Sequence, residues 1–179
     1  HGVVLPAGHR PALAAGALYA DVRVMHRRNE SMAARDGEVE DVRSAEDRGL
    51  GVRALVGASW GFFAVPDLDQ AGDAGRRAAD IAAASAQVPG PAVDLLSIEP
   101  AIGSWQNTVE IDPLSVSLAD KATLLSEATA SSKEHGADIA EGIYEIWDTQ
   151  KWFASSEGHR VDQHVRECGA GVAATVIGD

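Results

Sequence analysis

A chain of 179 residues suits one compact domain, or one domain built from two halves. Burying roughly 70% of the unfolded surface at this size makes disulfide or metal staples unnecessary. Its 15 basic and 27 acidic side chains give a net charge of −12, which opposes the counterion release that drives nucleic-acid binding and so argues against direct nucleic-acid contact.

The lone Cys168 excludes an internal disulfide and fits a reducing compartment. No apolar run reaches the 18 or so residues of a membrane-spanning helix, and no signal peptide is visible. The expectation is a cytoplasmic protein with no membrane partner. The chain opens on His1-Gly2 rather than methionine, so its natural start is read as missing or replaced.

In chain order, Pro11 to Ala17 reads as a short alanine-rich helix ending at Gly16. A β block follows, with Val22 and Val24 on one face and Asp21 and Arg23 on the other. Asp36-Gly37 predicts a hairpin turn, because glycine accepts the positive φ of type I′ geometry. The strand signal resumes at Val39 and Val42, then from Gly49 to Gly57, then from Trp60 to Val65 before Pro66. That makes a meander of about four antiparallel strands.

Asp67 is a candidate N-cap for a helix running to about Val88, with a buried stripe of Leu68, Ala71, Ala74, Ala78, Ile81, Ser85 and Val88. Val88-Pro89-Gly90-Pro91 ends it. Val93 to Ile98 is a possible strand, and Ala101 to Pro113 reads as irregular. Ser117-Leu118-Ala119-Asp120 has capping-box character and opens a second main helix. Its expected buried stripe is Leu118, Ala122, Leu125 and Ala128, and Gly136 stands where a C′ glycine belongs. Three or four more strands close the chain.

The two β blocks follow one plan. Asp21 and Asp138 are 117 apart, Gly37 and Gly158 are 121 apart, and Gly49 and Gly169 are 120 apart. A repeat at such spacing predicts a duplicated supersecondary unit, with halves of about 12–88 and 117–179. The fold class is therefore α+β, with antiparallel meanders in two pseudo-repeated halves packed on two main alanine-rich helices.

Chemistry-bearing motifs are few. Gly57-Ala58-Ser59-Trp60-Gly61 satisfies G-x-S-x-G, but strands flank it on both sides where a nucleophile elbow needs a strand-to-helix turn. Gly49-Leu50-Gly51 and Gly169-Ala170-Gly171 open strands, so no helix N-terminus receives a phosphate; close backbone approach or a bulge is the preferred reading. None of the six histidines, at 1, 9, 26, 135, 159 and 164, has metal-site spacing. His164 and Cys168 fall on one strand about 13 Å apart, too far to share an ion.

Arg23, His26, Arg27 and Arg28 cluster in a strand region that reads as a solvated edge. Glu99, Glu110 and Asp112 sit near Trp105 in a connector, with no spacing that demands acid–base chemistry. Asn29-Glu30-Ser31 is a glycosylation sequon, relevant only to a secreted chain. No catalytic, cofactor-binding or metal-ligating residue is assigned to this chain.

Several ordered blocks nevertheless carry a resemblance. They are Tyr19 to Arg23, Arg27 to Ser31, Asp36 to Glu40, Ser44 to Asp47, Gly49 to Arg53, Trp60 to Phe62, Val109 to Leu118 and Phe153 to Gly158. From about Ala12 to Asp179 the chain resembles the N-terminal domain of the TldD/PmbA metallopeptidases. Asp112-Pro113 to Leu118, with Ser155-Ser156-Glu157-Gly158, looks more like the TldD branch.

The resemblance implies a single N-terminal domain, 1–179, of a cytoplasmic metal-dependent peptidase. It implies work on unfolded or modified peptides, as a homodimer or beside a PmbA-like second subunit. It places a divalent metal, zinc, on an H-E-x-x-x-H helix in a C-terminal domain that this sequence does not reach, so this fragment is expected to be inactive alone. Cys168 is not the family's ligand cysteine. The family's older label, modulator of DNA gyrase, fits poorly with a charge of −12 if it meant DNA contact.

The leading reading is a scaffold, dimerisation and peptide-cleft domain whose sheet edges accept an extended peptide as an added strand. The alternative is a stand-alone protein-interaction module without a catalytic role. A serine hydrolase using Ser59 is the remaining, weakest reading.

Overall fold

The computed structural model describes residues 8–178. In chain order they form α1 (His9–Ala14), β1 (Tyr19–Arg35), β2 (Glu38–Val56), β3 (Ser59–Val65), α2 (Ala71–Ser85), β4 (Ile102–Gln106), α3 (Leu118–Glu134), β5 (Ile139–Ser155) and β6 (Arg160–Thr175). The six strands make one mixed sheet in the order β3-β2-β1-β5-β6-β4. The fold is α+β.

Long hairpins dominate it. Asp36 (φ 51°) and Gly37 (φ 96°) both take the positive φ that a two-residue I′ turn requires. The sequence repeat corresponds to two helix–hairpin units, α1-β1-β2 and α3-β5-β6. Gly16 (φ 96°) and Gly136 (φ 99°) follow the helix of each unit, and both sit in the left-handed C′ conformation.

The compact units do not follow those halves. One comprises residues 8–26, Asp47–Gln106 and Gln150–His164; the other comprises Arg27–Glu46, Asn107–Thr149 and 165–178. Each long strand therefore serves both.

In the first unit the core is small-residue packing. Ala20, Val22, Val52 and Ala54 of the sheet meet Ala74, Ala78 and Ala79 of α2 and Ala12 of α1. A Cβ at Gly61 would come within 2.0 Å of the Ala78 carbonyl oxygen, and one at Gly75 within 2.1 Å of the Gly8 carbonyl oxygen. Glycine at these positions sets how closely α2 lies on β3 and on the chain at Gly8. Asp67 Oδ1 accepts from the Asp69 N–H at 3.2 Å, capping a 3₁₀ turn (Leu68–Gln70) that leads into α2.

In the second unit one face of the sheet carries α3. Leu125 packs with Met32, Ala34, Tyr144 and Ile146. Ser117 Oγ accepts from the Asp120 N–H at 3.1 Å, the capping-box geometry expected of Ser117 and Asp120.

Several expectations are corrected. The first meander has three strands, not four, because β2 runs unbroken from Glu38 to Val56. The closing block has two long strands, not three or four. No strand forms over Val93 to Ile98, while β4 forms inside the segment read as irregular. It pairs parallel to β6, Ile102 opposite Arg160. In α2, Gly75 and Ala82 are buried and Ile81 is exposed. In α3, Lys121 and Thr129 are buried and Leu118 is exposed. Polar side chains replaced apolar ones on the inner face because the sheet beneath supplies hydrogen-bond partners.

Candidate functional site

Among the described residues no group of histidine, cysteine, aspartate or glutamate side chains is arranged to hold a metal. His1 lies outside them. Ser59 opens β3 opposite Val56, across the Gly57-Ala58 turn, so the G-x-S-x-G stretch is a hairpin rather than a nucleophile elbow. His164 and Cys168 lie four residues apart along β6, as the strand reading required.

The basic cluster is not a solvated edge. β1 is an inner strand between β2 and β5. Arg23 lies over the Phe153 ring at 5.5 Å and Arg27 over the Trp147 ring at 5.4 Å. Arg28 Nε donates to Asp148 Oδ2 at 3.1 Å, and Asp148 is 3% exposed. That hydrogen bond, outweighing burial, raises the Arg28 pKa. These arginines lie against rings and a carboxylate of the neighbouring strand β5.

Beneath α3 a second polar group is sealed in. Lys121 Nζ pairs with Glu30 Oε1 at 2.6 Å, and the Tyr144 hydroxyl donates to the same oxygen at 2.8 Å. Burial, then the Glu30 hydrogen bond and charge, push the Tyr144 pKa up. Lys121 and Tyr144 are under a tenth exposed, so this is a brace for the helix rather than a reactive centre.

Among the described residues no helix covers the opposite face of that sheet. A groove of about 570 Å³ is lined there by Ile143, Glu145 and Trp147 of β5 and by residues 167–171 of β6, Gly169 and Gly171 among them. A Cβ at either glycine would meet nothing within 4 Å. The close-approach reading of Gly169-Ala170-Gly171 is thus wrong for this pair. It holds for Gly49, where a Cβ would lie 3.1 Å from the Val65 carbonyl oxygen, while at Gly51 a Cβ would lie 2.7 Å from the Phe62 ring. Neither Glu145 nor Glu167 makes an ion pair among the described residues. Glu40 and Glu141, further along the face, are both taken by Arg35, at 3.4 and 2.6 Å.

Beside the groove runs an open strand edge. The Asn107 side-chain amide donates to the Arg166 carbonyl at 2.6 Å, while its oxygen accepts the Arg166 N–H at 2.9 Å. Asn107 thus copies one residue of a neighbouring strand. Thr175 directs its carbonyl inward, accepting from the Asp138 N–H at 2.8 Å. By strand alternation, Arg166, Cys168, Ala170, Val172 and Ala174 turn their backbone groups outward. Past Asn107 no strand covers them among the described residues.

The two outer edges of this unit differ in chemistry. Glu38–Glu46 of β2 carries Glu38, Glu40, Asp41, Arg43 and Glu46, the charge pattern that deters strand pairing. Residues 168–175 of β6 carry no charge at all. Nothing in the sequence marked Asn107. The Gly169-Ala170-Gly171 stretch facing Ile143 and Trp147 was visible, but only strand pairing shows them to be neighbours.

Residues 20–86 match the model for PmbA/TldA metallopeptidase domain 1. Over that segment the chain is similar to a first domain of the PmbA/TldD metallopeptidases. A metalloprotease of Methanothermobacter thermautotrophicus is 25% identical over 144 residues, covering 80% of this chain and 31% of that protein. A second metalloprotease, from Methanocaldococcus jannaschii, is 20% identical over 152 residues, covering 84% and 34%.

The chain therefore spans about a third of the length of these curated relatives. A Bacteroides thetaiotaomicron protein, named as a candidate modulator of DNA gyrase, shares the fold at a TM-score of 0.77 and 15% identity, covering 98% of this chain and 41% of that one. TldE from Thermococcus kodakarensis does so at 0.66 and 14%, covering 93% and 38%. Both of the curated relatives are named metalloproteases.

Proposed function

We propose that this chain is the peptide-guiding, subunit-contacting first domain of a TldD-like metal-dependent peptidase, working in the cytoplasm beside a second subunit of the PmbA/TldE kind or a second copy of itself. Chemistry at a divalent metal, zinc on this reading, belongs to a part of the protein outside residues 1–179. This domain presents unfolded or modified peptide to it.

The observation that carries the reading is the uncharged β6 edge beyond Asn107. Cys168, Ala170, Val172 and Ala174 offer backbone donors and acceptors to any extended chain, whatever its sequence. A peptidase for unfolded chains needs grip of that kind, because main-chain hydrogen bonds are common to every substrate. The metalloprotease names of the relatives support the same reading.

Amide hydrogen exchange tests it. An unfolded peptide added in excess is expected to slow exchange at Cys168, Ala170, Val172 and Ala174 and to leave the β2 edge at Glu38–Glu46 unchanged. Protection confined to the β2 edge, or none at all, contradicts the proposal.

A further inference from the structure

We propose that the groove floored by Gly169 and Gly171 is a specificity pocket for an arginine or lysine side chain of the peptide that adds to the β6 edge. The proposal rests on the strand-addition reading above and makes it selective for basic segments.

A strand added beside β6 would lie about 4.8 Å from it, and about twice that from β5. An ordinary side chain on β6 would block the way from one to the other. At Gly169 and Gly171 there is none, and the space a Cβ would take is empty. A long side chain on the added strand can therefore cross β6 lying flat and reach β5.

Its surroundings then fix its chemistry. Ile143, half exposed, and the Trp147 ring offer apolar surface to an aliphatic stem. Glu145 on β5 and Glu167 on β6 stand at the same groove without cationic partners among the described residues. Arg27 lies over the Trp147 ring that lines the groove. Glu145 and Glu167 in the lining favour a cation and oppose an acidic side chain, consistent with the chain's charge of −12. A short peptide alternating an arginine with a small residue would seat its basic positions on this face, by the two-residue period of a strand.

The test uses the full chain and two fluorescein-labelled pentapeptides, threonine alternating with arginine and threonine alternating with glutamine, followed by fluorescence anisotropy. The arginine peptide is expected to bind about tenfold tighter, a difference worth about 1.4 kcal/mol, and to lose that advantage in high salt. Glu145→Gln with Glu167→Gln should abolish the difference while leaving the glutamine peptide's affinity unchanged. A Cβ at Gly171 meets nothing within 4 Å, so Gly171→Leu, whose side chain occupies the passage, is expected to fold and to remove the same advantage.

Equal binding of the two peptides with the edge protected from exchange would overturn the pocket and leave strand addition standing. Ala170→Pro removes an outward N–H that takes no part in the β5 ladder. Arginine-peptide binding that survives Ala170→Pro but not the Gln pair would overturn strand addition, and with it the route across β6 proposed here. Failure of the arginine peptide to bind at all would overturn both, as would dimerisation of the chain through this face that the peptide does not compete with.

Discussion

Lys121 Nζ lies 2.6 Å from Glu30 Oε1 beneath α3, and the Tyr144 hydroxyl donates to the same oxygen at 2.8 Å. One carboxylate oxygen thus ties a helix to two strands in a largely buried interface. A buried pair of this kind contributes little net stability when intact, but it is costly to break on one side alone. Lys121→Ala, which strands the Glu30 charge, is expected to destabilise by about 3 kcal/mol. Lys121→Met with Glu30→Gln should cost clearly less, because no charge is left buried without its partner. Urea titrations of both variants give the comparison directly, and equal losses would contradict the brace.

Glycine substitutions should separate close packing from open surface. Gly61→Ala places a Cβ 2.0 Å from the Ala78 carbonyl oxygen, and α2 must move off β3, at about 3 kcal/mol. Gly169→Ala meets nothing and should stay within about 0.5 kcal/mol of the parent. Thermal unfolding of the pair would show one large shift and one negligible one.

His9 supplies a pH signature. Its Nδ1 is buried and has no hydrogen-bond partner among the described residues, and burial, then Arg10 and Arg160, lower its pKa from the ordinary 6.5. The folded state therefore favours the neutral ring, while the unfolded chain takes up a proton first as pH falls. Stability from this site is present above about pH 6.5 and is lost as pH drops through the lowered folded value. A His9→Leu variant should show a flatter stability profile between about pH 7 and 5. An unchanged slope would mean that His9 does not titrate in this way.

Ser59 should prove chemically silent. Ser59→Ala is expected to leave stability within about 0.5 kcal/mol, and a fluorophosphonate probe should not label the parent chain at this residue. Labelling at Ser59 would revive the hydrolase reading.

The sequence exposed what is written in local signals. The Asp36-Gly37 turn, the Ser117 cap, the Gly16 and Gly136 helix ends and the β3 strand all depend on residues within a few positions of one another. Long-range pairing was not written locally. β4 was missed because a five-residue strand, wholly exposed, has no apolar alternation; it exists because the β6 edge at Arg160–His164 accepts it.

The helix faces were misread for a related reason. Apolar periodicity pointed to Ile81 and Leu118, whereas the sheet beneath buried Gly75, Lys121 and Thr129. Thr129 is satisfied there by accepting the Gly37 N–H at 3.0 Å and donating to the Leu125 carbonyl at 2.9 Å. The groove was the least legible element of all. Glu145 and Glu167 are 22 positions apart in sequence and become neighbours only through the β5–β6 hairpin.

Metal content and peptide hydrolysis, measured side by side on residues 1–179 and on a chain extended to the length of the metalloprotease relatives, decide where the chemistry lies. Residues 1–179 are expected to bind no stoichiometric divalent metal and to cleave nothing. The longer protein should bind metal and cleave unfolded peptide until a chelator is added. Chelator-sensitive cleavage by residues 1–179 alone, or undiminished cleavage by the metal-free longer protein, would contradict the proposed function.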